Sequence, residues 1–137
     1  LVQVTYSPVV TFMHRDEEEI GEFYQLETVS ETTRESGDSL KLTGAHLIYA
    51  GSCSGAAPKK PIRAEQVEVG HCVHRLLSAK TGVFARTRIV SISMVQEAGI
   101  YAPLTVTGDI ITNDVLASCH SHLVLRNLQQ SVFEIYR

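Results

Sequence analysis

Ser39-Leu40-Lys41-Leu42-Thr43 alternates strictly, which sets Leu40 and Leu42 on one face and Lys41 on the other. That period of two is the pattern of a half-buried strand. Glu22-Phe23-Tyr24-Gln25-Leu26-Glu27-Thr28-Val29 alternates more loosely, and Val9-Val10-Thr11-Phe12-Met13 is β-branched and aromatic, so both read as strands. Further strands are predicted over 67–73, 87–94, 100–105, 109–111 and 114–119. Turn-forming residues separate them: Ser36-Gly37-Asp38, residues 51–61, Thr81-Gly82, Ala98-Gly99, Thr107-Gly108-Asp109 and Asn113-Asp114. Residues 16–21 read as a charged turn or short loop. Residues 123–136 read as a helix with Leu125 and Leu128 on one side, or as a strand through Val132-Phe133-Glu134-Ile135-Tyr136. Many short strands at this spacing predict an all-β fold.

A faint repeat runs through the pattern. In the first half, strands at 9–13 and 23–26 precede a turn with Gly37-Asp38 and then Leu40-Lys41-Leu42-Thr43-Gly44-Ala45-His46. In the second, strands at 89–93 and 100–104 precede a turn with Gly108-Asp109 and then Ile110-Ile111-Thr112-Asn113-Asp114-Val115-Leu116. The order suggests two β units related by a pseudo-two-fold axis.

Composition narrows the picture. The 137 residues, 44% of them hydrophobic, make one ordinary domain able to bury a core without a disulfide scaffold. The net charge is −3 and the basic residues are scattered, with Lys59-Lys60 the one adjacent pair, which argues against a nucleic-acid partner. No apolar run has the length of a membrane span. The first residues, Leu1-Val2-Gln3-Val4-Thr5, lack a starting Met and the features of a signal peptide. They read like the middle of a strand, so the chain is expected to come from a longer one.

The three cysteines, Cys53, Cys72 and Cys119, show no paired spacing. Cys53 and Cys72 read as small buried residues, and the odd count also fits a partner cysteine upstream. Two histidine sets, His71-Cys72-Val73-His74 and His120-Ser121-His122, each lack the rest of a four-ligand metal site.

The candidate chemistry lies at Thr43-Gly44-Ala45-His46. A strand ending in Thr, followed by a turn, returns the His to the same corner. The hydroxyl orients a peptide, and an imidazole near neutral pH polarises a carbonyl or protonates a leaving amine. By itself the pattern is weak, because a lone histidine is most often structural or exposed.

Its surroundings are more specific. Ser39-Leu40-Lys41-Leu42-Thr43-Gly44-Ala45-His46-Leu47-Ile48-Tyr49 resembles the second block of Hint domains, the hedgehog and intein self-processing fold. Tyr101-Ala102-Pro103-Leu104-Thr105, then Gly108-Asp109-Ile110-Ile111-Thr112-Asn113-Asp114-Val115-Leu116-Ala117-Ser118-Cys119, resembles the late block of hedgehog C-terminal domains. Val9-Val10-Thr11-Phe12-Met13-His14-Arg15 resembles a further segment of that family. The details look most like the nematode warthog and groundhog groups. The resemblance implies a Hint fold over residues 1–122, incomplete at its N-terminus, followed by a short apolar tail over 123–137.

It also implies a mechanism. In the family, a Cys at the first position of the domain attacks the preceding carbonyl, and an N-to-S acyl shift gives a thioester. A second nucleophile then releases the N-terminal signalling fragment. Thr43 and His46 match the pair that polarises the scissile amide and protonates its nitrogen. His14 stands where true hedgehogs carry an Asp that activates the sterol hydroxyl. This departure leaves open whether cholesterol, another lipid alcohol or water is the acceptor. Cys119 matches the late cysteine near the active-site corner, with a buried strand cysteine as the plain alternative. The block with the nucleophile is absent, so this chain alone is expected to be inactive. The implied partners are the covalently linked signalling domain and a lipid acceptor. No nucleic acid, metal or other cofactor is implied, and the domain is expected to be a monomer of the secretory pathway or the extracellular space. Other readings are a non-cleaving secreted binding module and an unrelated β-rich binding domain.

Overall fold

The computed structural model describes residues 6–31, 33–37, 39–55, 60–78 and 80–121. The leading strand expected at 1–5, Lys59, His122 and the tail at 123–137 lie outside them. The architecture is all-β, as the alternation predicts. In chain order the strands are β1 (Val9–Ser30), β2 (Leu40–Leu42), β3 (His46–Ile48), β4 (Ala50–Gly51), β5 (Ile62–Arg63), β6 (Cys72–Ser78), β7 (Val83–Thr105), β8 (Asp109–Thr112) and β9 (Val115–Ser121). One 3-10 turn, Ala64–Gln66, follows β5. The strands join in one sheet in the order β2-β1-β7-β6-β9-β3-β5, with β4 on β6 and β8 on β9.

The frame is the antiparallel pair of β1 and β7, 22 and 23 residues long. The sequence predicts each as two strands, broken at 16–21 and at Ala98-Gly99. The structure corrects both breaks, because each strand runs through. Asp16 faces Ile100 and Ile20 faces Ala98, so Glu17, Glu18 and Glu19 bulge out against Gly99 alone. Asp16 Oδ1 accepts the N–H groups of Glu18 at 2.9 Å and Glu19 at 3.0 Å, and Gly99 takes a φ of +100°. The local turn chemistry is real, but within a long ladder it makes a bulge rather than an end.

The strand predicted over 67–73 is also corrected. Val67 closes the 3-10 turn, Gly70 turns the chain at a φ of +96°, and β6 opens only at Cys72. Val67 is buried from a turn, so an apolar residue there did not signal a strand.

Leu40 and Leu42 are buried and Lys41 is exposed, as strict alternation requires. They pack with Leu26, Ile48, Ala50, Val73, Ile89, Val115 and Ala117. Burying a Leu, Ile or Val side chain stabilises by roughly 1.5–3 kcal/mol. That packing fixes β2 and β3, and with them the short turn between.

The repeat has a structural counterpart. β1 pairs with β7, and β3 with β9, antiparallel in both cases, so corresponding strands of the two units meet. β2 and β8 depart from the symmetry: β2 adds to β1, whereas β8 folds back on β9. Asn113 and Asp114 join β8 to β9 at φ values of 47° and 65°, the two-residue turn that suits a twisted hairpin.

Cys53 and Cys72 are bonded to each other, 19 residues apart with a Cα–Cα distance of 5.0 Å. This corrects the reading of two separate thiols. Sheet pairing of Gly51 with Cys72 brings them together, and no local spacing encodes it.

Candidate functional site

The turn at 43–46 is short and tightly held. The His46 N–H donates to the Thr43 carbonyl at 3.0 Å, and the Glu65 N–H donates to the Gly44 carbonyl at 3.0 Å. A Cβ at Gly44 would sit 3.1 Å from both Glu65 Oε2 and Tyr24 Cε2, so only a residue without a side chain fits without displacing neighbours. Thr43 is half-buried, and its hydroxyl makes no hydrogen bond with the described residues.

His46 opens β3 and is pinned by β9. His46 faces Ser121 while Ile48 faces Ala117, so four residues of advance on β9 answer two on β3. The extra residues form a bulge at 118–120, and bulges re-aim the groups they carry. The Ser118 carbonyl meets His46 Nε2 at 2.7 Å. A carbonyl only accepts, so Nε2 carries the proton and Nδ1 keeps its lone pair. Burial pushes the His46 pKa below its ordinary value; the Ser118 bond opposes this, and the nearby His120 reinforces it. His46 is therefore a neutral imidazole at neutral pH, oriented through one nitrogen and free to accept a proton at the other.

The bulge gathers further groups. Cys119 is buried, with Sγ 3.3 Å from Thr105 Oγ1, and its N–H donates to the Gly108 carbonyl at 2.8 Å. Tyr49, just past β3, donates its hydroxyl to Asp109 Oδ1 at 2.8 Å. Burial and the Asp109 carboxylate raise the Tyr49 pKa to about 12. His120 Nδ1 is buried without a hydrogen-bond partner, and burial lowers its pKa against the pull of Asp109.

The structure thus brings His46 and Cys119 to one corner, with Thr43 in the adjoining turn. His14 lies elsewhere. It is exposed on β1 opposite Ala102, with Nε2 2.6 Å from Glu19 Oε2 across the acidic bulge. Ala102 is three residues from Thr105, about 10 Å along a strand. Sequence reasoning passed over Tyr49, Thr105, Asp109 and the Ser118 carbonyl. Tyr49 and Asp109 stood inside the quoted blocks, but nothing local marked them as partners.

The other histidine sets divide. His71 Nδ1 accepts the Glu68 N–H at 3.1 Å, while His74 has a buried Nε2 without a hydrogen-bond partner and a pKa lowered by burial, then by Arg86. Among the described residues, Glu31, Cys53 and Cys72 converge as a metal site would, but the disulfide removes both thiolates. No helix among the described residues is long and apolar enough to cross a membrane.

The profile of the Hint module matches residues 2–137. The chain is 46% identical to warthog protein 6 of Caenorhabditis elegans over 134 residues, 98% of this chain and 21% of that protein. It is 31% identical to warthog protein 4 of the same organism, across 96% of this chain and 24% of the relative. It is 33% identical to Indian hedgehog B protein of Danio rerio, across 93% of this chain and 30% of the relative. The chain therefore spans less than a third of each of these proteins. A profile match across nearly its whole length places this chain in the Hint module family, together with segments of warthog and hedgehog proteins.

Proposed function

We propose that this chain is the histidine-bearing part of a self-cleaving domain that releases an N-terminal signalling fragment through a cysteine thioester. His46 is the observation that carries the reading. Its Nε2–H is locked on the Ser118 carbonyl and burial keeps it neutral, so Nδ1 is poised to take one proton and pass it on. The attacking cysteine is supplied from upstream. Cys53 and Cys72 are bonded to each other and Cys119 is 2% exposed, so none of the three is a free nucleophile.

In the first step the upstream thiol attacks the carbonyl before it. The S–C bond forms, the C–N bond breaks, and the thiol proton reaches the leaving amine through His46 Nδ1. The Thr43 hydroxyl, free of other partners among the described residues, hydrogen-bonds the scissile peptide. A lipid alcohol such as a sterol, or water, then attacks the thioester. Cys119 lies beside the corner as a partner for the nucleophilic sulfur. The Cys53–Cys72 disulfide supports maturation in the oxidising secretory pathway.

Mass spectrometry of the fragment released by the complete parent protein tests the acceptor. A C-terminus heavier by a lipid alcohol supports transfer. An unmodified carboxylate rejects transfer and leaves hydrolysis. No released fragment rejects self-cleavage.

A further inference from the structure

We propose that Cys53 and Cys72 form a reversible thiol–disulfide exchange site, reached by a dithiol reductant through a surface cavity, whose redox state sets how firmly the turn at 43–46 is held. The inference stands whether or not the domain cleaves itself.

Two observations carry it. Each sulfur lies against an acceptor that only a thiol can use: Cys53 Sγ is 3.3 Å from the Gly70 carbonyl, and Cys72 Sγ is 3.6 Å from Glu31 Oε1. A disulfide sulfur has no proton to donate. In the dithiol form both S–H groups find acceptors already in place, and Arg88 Nε holds Glu31 there at 2.7 Å. The surroundings therefore suit both redox states. The second observation is access. A cavity of about 610 Å³ is lined by Cys53 together with Glu31, Gly70, His71 and Arg88. Cys72 is 2% exposed, so attack comes at Cys53 and Cys72 is the leaving group.

The exchange balances as follows. A thiolate of the dithiol attacks Cys53 Sγ, the Cys53–Cys72 bond breaks, and Cys72 leaves with the electron pair and takes a proton. The second thiolate of the reductant attacks its own sulfur in the mixed disulfide and closes the reductant's disulfide. Cys53 is released and takes a proton. Two electrons have passed from the dithiol to the cysteine pair.

The bond reaches the turn through the chain it closes. Between the two cysteines, β5 pairs with β3 through Leu47–Arg63 and Ile48–Ile62, and the Glu65 N–H holds the Gly44 carbonyl. Opening the bond frees the anchor of that segment and loosens its grip on the turn, while the β1–β7 frame, which lies outside the closed loop, stays intact.

The test treats the native full-length protein with dithiothreitol, alkylates it without denaturant, and maps labels and amide exchange by mass spectrometry. Labels are expected at Cys53 and Cys72 but not at buried Cys119, with the disulfide restored by oxidised glutathione. Amides at His46 and Glu65 are expected to exchange about tenfold faster or more in the reduced form, while those of the β1–β7 ladder around Leu26 and Ile92 keep their protection. Three results overturn the proposal: no labelling without denaturant, unchanged exchange at His46 and Glu65, or loss of protection throughout. Glu31→Ala is expected to shift the dithiothreitol midpoint several-fold toward the disulfide, by loss of one thiol acceptor. An unmoved midpoint overturns the acceptor argument.

Discussion

Tyr49→Phe isolates one tie in the candidate site. The substitution removes the hydroxyl that bonds Asp109 Oδ1 at 2.8 Å and leaves the ring in place. A hydrogen bond to a charged group contributes about 1.5–3 kcal/mol, but Asp109 is exposed and water replaces the lost donor. The loss is therefore set below that range, at about 1 kcal/mol, or a fall in Tm of about 4 °C. The pH dependence has a definite sign. The folded pKa of about 12 lies above the ordinary tyrosine value of 10.0, so the bond's contribution is complete below 10.0 and is lost as pH rises toward about 12. Urea denaturation of both proteins at pH 7 reads the magnitude. Ultraviolet titration of the tyrosinates reads the cause: the wild type shows one tyrosine ionising near 12, and Tyr49→Phe removes that step. Equal stability at pH 7, together with an unchanged titration curve, would show that the Tyr49–Asp109 bond holds nothing in place.

Three further outcomes are expected. Replacing Cys53 and Cys72 together by Ala opens a loop with a sequence separation of 19 and costs about 3 kcal/mol by chain entropy, read as a lower urea midpoint. Leu26→Ala, at a side chain 0% exposed in the core, costs about 2–5 kcal/mol in the same assay. His46, His74 and His120 are all held below the ordinary histidine value of 6.5 by burial, so the unfolded chain takes up protons first on acidification. Stability is then full above 6.5 and falls as pH drops through the lowered folded values; urea midpoints that stay flat down to pH 5 would contradict this.

What was legible in the sequence was local. Strict alternation placed Leu40 and Leu42 in the core, and Asn113-Asp114 marked a true hairpin turn. Asp16 and Gly99 carry local turn chemistry, but the strand breaks read from it were wrong, because a local pattern does not say whether a neighbouring ladder carries the strand through. The site is built from long-range pairs. His46 and Ser118 are 72 residues apart, Tyr49 and Asp109 are 60 apart, and Cys53 meets Cys72 only through the β4–β6 register. Thr43 and His46 stood out through the blocks around them, because the family pattern already encodes what folding brings together.

In the proposed mechanism His46 moves the proton in the first cleavage step. The most direct measurement fuses the complete parent domain behind a reporter and follows release of the reporter, with His46→Ala beside the wild type and His74→Ala as a control. General acid–base groups contribute about 10²–10⁴-fold, so His46→Ala is expected to cleave at least about a hundredfold more slowly, while His74→Ala keeps the wild-type rate. Cleavage of His46→Ala at the wild-type rate would contradict the account.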